Sequence, residues 1–159
     1  MPAVPKPSSA HSDLQRDLCR YLEQRVSPPW ITLQEMDLGL RGNNTHWTGS
    51  VQRADVLAIR WTAPLRIHIY EIKVSRSDFQ SDIKSGKWEG YLEHCHLFFF
   101  VTPHGMVQRD EIPEGIGWVE VSKRGKNFPT RLTGALNHDY SPSEDEWFAI
   151  VKKQAKYGG

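Results

Sequence analysis

The chain has 159 residues, a length that suits one domain with its own core. Lys and Arg number 20 against 19 Asp and Glu, so the formal net charge is +1; this excludes a strongly basic nucleic-acid coat and an acidic tail, but not a local basic patch. Cys19 and Cys95 are too few for a secreted disulfide framework, no apolar run approaches the ~18 residues of a membrane span, and the Pro/Ser-rich start is not a signal peptide, so the expectation is a soluble, reduced, cytoplasmic protein.

Residues 1–11 contain Pro2, Pro5, Pro7, Ser8 and Ser9 and read as a disordered arm, with residues 12–159 as a single domain. A helix is predicted from Ser12, which opens a capping box with Gln15. Leu14, Leu18 and Leu22 form its apolar stripe, and Ser27-Pro28-Pro29 stops it. Three strands follow, over residues 30–40, 53–61 and 65–74, separated by a polar loop at 41–50 and a short break at Thr62-Ala63-Pro64. Ser75 and Ser77 offer caps for a second helix, and Asp78 suits its positive end. That helix runs through Phe79 and Ile83 towards His94, with a break at Ser85-Gly86. Residues 97–101 (LFFFV) are a continuous apolar run, expected of a strand buried on both faces. A fifth strand is predicted over 116–121, a basic loop over 122–127, and a last helix from Ser141-Pro142-Ser143 with a capping box from Ser143 to Glu146.

Short connections make the first three strands an antiparallel meander, and the second helix serves as the crossover to a parallel LFFFV strand. The predicted fold class is α/β, a mixed sheet flanked by helices.

Charged residues appear where packing does not ask for them. Asp55 shares a strand face with Leu57, Ile59 and Trp61; Glu71 and Lys73 share one with Ile67 and Ile69. A charge on a core face is costly unless paired. With the hairpin centred near Ala63, Asp55 and Glu71 fall nearly opposite each other. Two facing carboxylates need a cation between them. Lys73 is one candidate and a divalent metal such as Mg²⁺ is the other. The spacing alone leaves a surface ion pair of Glu71 with Lys73, beside a solvated Asp55, as an equal alternative.

An Asp opening one strand and Glu-x-Lys on the next resembles the PD-(D/E)XK nuclease superfamily: Arg53-Ala54-Asp55-Val56 and Glu71-Ile72-Lys73, with Ala54 in place of the usual Pro. The element order α-β-β-β-α-β is similar to that superfamily's restriction-endonuclease-like core. More narrowly, these segments with Val74-Ser75, Ser77-Asp78-Phe79, Asp82, Lys84, Lys87-Trp88, Tyr91, His94-Cys95 and Leu97-Phe98-Phe99 resemble the MmcB-like DNA repair proteins. The resemblance covers roughly residues 12–121 and implies a metal-dependent DNA endonuclease or repair nuclease. Asp55, Glu71 and the Ile72 carbonyl would bind Mg²⁺ or Mn²⁺, and Lys73 would orient the attacking water. A third acid is usual in the superfamily; Glu35 is the choice, on the face of Ile31 and Leu33, with Glu23 in the first helix as the rival.

Arg53, Arg76, Lys84 and Lys87 are candidate phosphate contacts. Lys84 and Trp88 share a helix face if the helix is continuous, and Trp47 in the polar loop is a candidate base-stacking residue. His94-Cys95-His96 lacks the second ligand cluster that structural zinc needs and is read as the lead-in to the buried strand. Nucleophile-elbow, GxGxxG and P-loop motifs are absent. DNA is the expected partner with RNA open, and a homodimer is an open alternative for a domain this small. A catalytically inactive nucleic-acid-binding or interaction module on the same fold is the competing reading.

Overall fold

The computed structural model describes residues 9–38, 52–60, 62–124, 126–133 and 140–157. Helix α1 spans Ser9–Gln24. Strands β1 (Trp30–Leu38), β2 (Gln52–Arg60) and β3 (Arg66–Ile72) form the expected meander, antiparallel throughout. Helix α2 (Arg76–Ser85) and a 3₁₀ segment (Lys87–His94) cross over to β4 (Leu97–Pro103), which pairs parallel to β3. β5 (Gly117–Arg124) is parallel to β4, and β6 (Lys126–Thr133) returns antiparallel to it. Helix α3 is Glu144–Tyr157. The strands lie side by side in chain order in one six-stranded sheet. This is the α/β architecture the element order predicts, consistent with a restriction-endonuclease-like core.

Two apolar layers sandwich the sheet. Leu14, Leu18, Cys19 and Leu22 of α1 pack on Val56, Ala58, Tyr70, Ile72, Phe99 and Val101. On the other face Phe79 of α2, Tyr91 and Ile150 of α3 pack on Leu57, Ile67, Ile69, Phe98 and Phe100. The LFFFV strand feeds both layers, hence its lack of alternation.

Two expectations are corrected. α1 begins at Ser9, so Ser12 is not its cap and Gln15 does not serve a capping box; its amide is spent on the site described below. The crossover helix, by contrast, breaks at Ser85-Gly86 as the sequence predicts. Ser75 caps α2 by accepting the Asp78 N–H at 3.2 Å, and Gly86, at φ 72°, ends it by donating to the Asp82 carbonyl at 3.0 Å. Lys84 and Trp88 therefore belong to different segments. The basic stretch after 121 is not a loop but the end of β5 and the start of β6. Pro129 lowers the strand signal of β6, and it is tolerated because it stands on an edge strand where the register shifts opposite Val121. Residues 1–8, the loop carrying Trp47, and Trp61 lie outside the described residues. Among the described residues no helix is long and apolar enough to cross a membrane.

Gly117 pairs with Phe99, and a Cβ there would lie 2.2 Å from the Phe99 ring, itself stacked on Tyr70 with centroids 5.0 Å apart. Gly117→Ala should therefore cost about 1–3 kcal/mol through overpacking, read as a lower urea midpoint with an unchanged m-value. His68 packs against Trp30 (centroids 4.4 Å) and Phe99 (5.3 Å), and burial, with lesser help from His96, Arg60 and Arg66, pushes its pKa down to about 3 from an ordinary 6.5. Above pH 6.5 the ring is neutral in both folded and unfolded chains. Between 6.5 and 3 only the unfolded chain takes up the proton, so stability falls with falling pH. The variant His68→Phe should lose less stability over this window in acid titration by circular dichroism; an unchanged acid slope would refute the assignment.

Candidate active site

The site lies where β2 and β3 part. Their pairing runs from Arg60↔Arg66 to Val56↔Tyr70 and stops. The same register carried one step further sets Asp55 opposite Glu71, as the hairpin count predicts. There the Asp55 carboxylate replaces the ladder: Oδ2 accepts the Ile72 N–H at 2.8 Å.

Across β1 the partner region is equally irregular. Glu35 has φ 51°, the left-handed region that a side chain such as glutamate seldom occupies. Register is kept on both sides, with Gln34↔Val56 and Met36↔Ala54. Alternation is not: Leu33 and Met36 join the same core, as do Leu57 and Ala54, three apart in each strand. The expectation that Asp55 simply continues the Leu57–Ile59 face, and Glu35 the Ile31–Leu33 face, is corrected by this slip. It turns both acids out of the apolar layer.

Both main carboxylates are buried. Burial foremost, then the charge of Asp55 and their shared hydrogen bond, push Glu71 well above the usual carboxylate range. Burial opposes the charged form of Asp55 too, but hydrogen bonds from His11, Glu71 and the Ile72 amide outweigh it and hold that carboxyl below its ordinary value. The two shifts run in opposite directions, so the pair favours a charged Asp55 beside a Glu71 that holds its proton more tightly. Lys73 reaches Asp82 on α2, Nζ to Oδ2 2.8 Å. Burial alone would lower its pKa, but Glu71 and Asp82 raise it, so the ammonium stays charged.

Several members escape a strand-based reading. His11 of α1 places Nε2 3.3 Å from Asp55 Oδ2, and Gln15 one turn on donates to Glu35 Oε1 (2.9 Å) and to the Asp55 carbonyl (2.7 Å). Asp82 is 5 % exposed, and Tyr91 donates to the Arg53 carbonyl at 3.1 Å; burial first, then the nearby Glu71, raise the Tyr91 pKa. Asp82 and Tyr91 stand in the segments that resemble the MmcB-like proteins; His11 and Gln15 carry no such signal and meet the site only because they share one face of α1. Of the two rival third acids, Glu35 is tied to Asp55 through Gln15, whereas Glu23 accepts from Thr32.

The donor set fits a hard divalent cation. Asp55 and Glu71 are adjacent buried oxygen donors, and Glu71 Oε2 has no hydrogen-bond partner. Among the described residues no three His, Cys, Asp or Glu side chains converge on one point. A cation here would rest on two carboxylates, backbone oxygen and water, the sparse shell that Mg²⁺ accepts.

The candidate phosphate contacts are exposed. Arg53 is exposed and pairs with Asp37 at 2.8 Å; Arg76 is exposed and pairs with Glu111 at 2.5 Å. Lys84 and Lys87 are exposed, and the Lys87 carbonyl accepts from Gln52 next to Arg53. Trp88 packs partly into the core. In the His94-Cys95-His96 segment, the His96 ring accepts the Ile67 N–H at 2.9 Å, Cys95 is buried, and His94 lies 3.8 Å from Glu146.

The sequence profile of the MmcB-like family, described as DNA repair protein MmcB-like, matches residues 34–144. The chain belongs to this family, which points to a role in DNA repair. Among solved structures it is similar to the SPO1766 protein of unknown function from Silicibacter pomeroyi, with a TM-score of 0.62 at 22 % identity over 99 % of this chain and 88 % of that one, a likeness of fold alone. A comparison with curated proteins gives no match.

A buried acid whose second oxygen lacks a partner is a stability liability. Glu71→Gln should raise the stability of the metal-free protein by about 1–2 kcal/mol at pH 8, measured by urea unfolding in EDTA. A destabilised variant would show instead that the Glu71 carboxyl is structurally required.

Proposed function

We propose that the chain is a metal-dependent nuclease of the PD-(D/E)XK superfamily that hydrolyses phosphodiester bonds in DNA. The observation that carries this reading is the buried Asp55–Glu71 pair at the opening of the β2–β3 ladder, with the Lys73 ammonium two residues on. Asp55, Glu71 and the Ile72 carbonyl would hold Mg²⁺ or Mn²⁺. When bound, that ion polarises a phosphoryl oxygen and lowers the pKa of its water.

The protein's own residues supply the rest. Asp55 is oriented from three sides, by the Ile72 amide, by His11 and through its carbonyl by Gln15, so its carboxylate is fixed before substrate arrives. Asp82 holds Lys73 at the site, where its ammonium can orient the attacking water and stabilise charge growing on the phosphate. Glu35, linked to the Asp55 carbonyl through the Gln15 amide, is the third acid of this reading. Arg53, Arg76, Lys84 and Lys87 are exposed groups for the flanking backbone phosphates, and Arg53 and Arg76 must exchange a carboxylate partner for the phosphate to do so.

The test is cleavage of single-stranded, duplex, flap and branched DNA, and of RNA, with Mg²⁺, Mn²⁺ or EDTA. Cutting should require metal. Asp55→Asn, Glu71→Gln and Lys73→Met should each slow it by about 10²–10³-fold while circular dichroism stays native. Variants that cut as fast as the wild type would overturn the assignment. DNA binding that persists in EDTA, with no heat of Mg²⁺ or Mn²⁺ binding in calorimetry, would identify the inactive nucleic-acid-binding module instead.

A further inference from the structure

Helix α3 lies almost wholly beyond the matched region of residues 34–144, and its two faces differ. On the inner face Ile150 is buried in the core, and Lys153 donates to the Glu35 carbonyl at 3.1 Å. At 3.6 residues per turn, Glu144, Asp145, Phe148, Val151, Lys152 and Ala155 fall together on the opposite face, and all six are exposed. Phe148 is 70 % and Val151 61 % exposed; they are the exposed large hydrophobics among the described residues. Scattered single apolar residues are ordinary on a surface, but these two adjoin on one helical stripe.

The charges on this stripe run from Glu144 and Asp145 at its start to Lys152 beyond the apolar pair, with Lys156 in the last turn. The helix dipole accounts for that order within one helix. It does not account for the apolar pair between the two ends. Acid, apolar centre, base is a pattern complementary to its own inverse. A two-fold axis between Phe148 and Val151 sets Phe148 of one copy against Val151 of the other, and leaves Asp145 of one copy about 3 Å along the helix from the level of Lys152 of the other, within reach of that long side chain.

We propose that this face of α3 is a self-association surface, on which a second copy of the chain packs antiparallel in an isologous pair. A helix of 14 residues, about 21 Å long, presents less than the ~1,000 Å² of a persistent interface, so the pair is weak and concentration-dependent. The inference is independent of the nuclease reading.

Sedimentation equilibrium of the full chain tests it. A monomer–dimer equilibrium is expected, with Phe148→Glu raising the dissociation constant about tenfold or more. Asp145→Lys and Lys152→Asp should each raise it about two- to fivefold, and the double reversal should restore it. All three positions are exposed, so the fold survives the changes, as circular dichroism will report. A chain monomeric up to about 1 mM would overturn the proposal and leave the face to a different partner. A dimer indifferent to Phe148→Glu, or charge reversals that fail to compensate, would overturn it as well.

Discussion

The hydrogen bond from the Ile72 amide to the Asp55 carboxylate is the contact on which the rest of the site depends. A β-ladder that simply continued past Val56 and Tyr70 would satisfy its own backbone groups and leave no room for chemistry. Here a side chain takes over one step beyond the last pair, so the strands separate while the amide remains bonded. The exchange places one carboxylate inside the protein in a fixed orientation. It also brings Glu71 beside it, because the antiparallel register that aligns Val56 with Tyr70 aligns the next pair too. Two acids this close and this buried repel, and burial together with the Asp55 charge pushes the Glu71 carboxyl well above the usual carboxylate range.

The surrounding elements make sense as supports for this arrangement. α1 reaches Asp55 from one face of the sheet through His11 and Gln15, and α2 reaches Lys73 from the other through Asp82. Each helix is anchored by an apolar stripe, Leu14–Leu18–Leu22 on one side and Phe79 on the other. Core packing far from the acids thus fixes polar side chains within hydrogen-bond distance of them. The left-handed backbone of Glu35 fits the same account, since strained conformations persist where well-packed neighbours hold them. Lys153 of α3 adds a further hold on that residue from outside the family's matched region.

Much of this was legible because it is written in local patterns. The strands β1 to β5, the meander and the parallel crossover follow from alternation, short breaks and the LFFFV run. The juxtaposition of Asp55 with Glu71 follows from counting out from Ala63. What was not legible depends on tertiary contact. Nothing in the spacing of α1 says that His11 meets a strand more than forty positions on, and Gln15 looked like a capping partner because that is its commonest local use. β6 was hidden by Pro129, whose missing amide is harmless only on an edge strand. The slip of alternation was in fact visible: Ile31 and Leu33 are odd-numbered, Met36 and Leu38 even. A break in parity inside one strand is the trace of an irregular backbone, and it falls on Glu35.

The net charge of +1 takes on a sharper meaning from the pairing of two exposed arginines. Arg53 and Arg76 are matched by Asp37 and Glu111, so the protein at rest does not present them as an open cationic surface. A phosphate would have to compete with a carboxylate for each. Such competition weakens nonspecific binding to long duplexes, where affinity comes from many uncompensated Lys and Arg contacts. It penalises less a substrate that also reaches the buried acids, because there a cation, the Lys73 ammonium and the phosphate would all meet. Near-neutrality therefore favours recognition at one point over coating of a polymer.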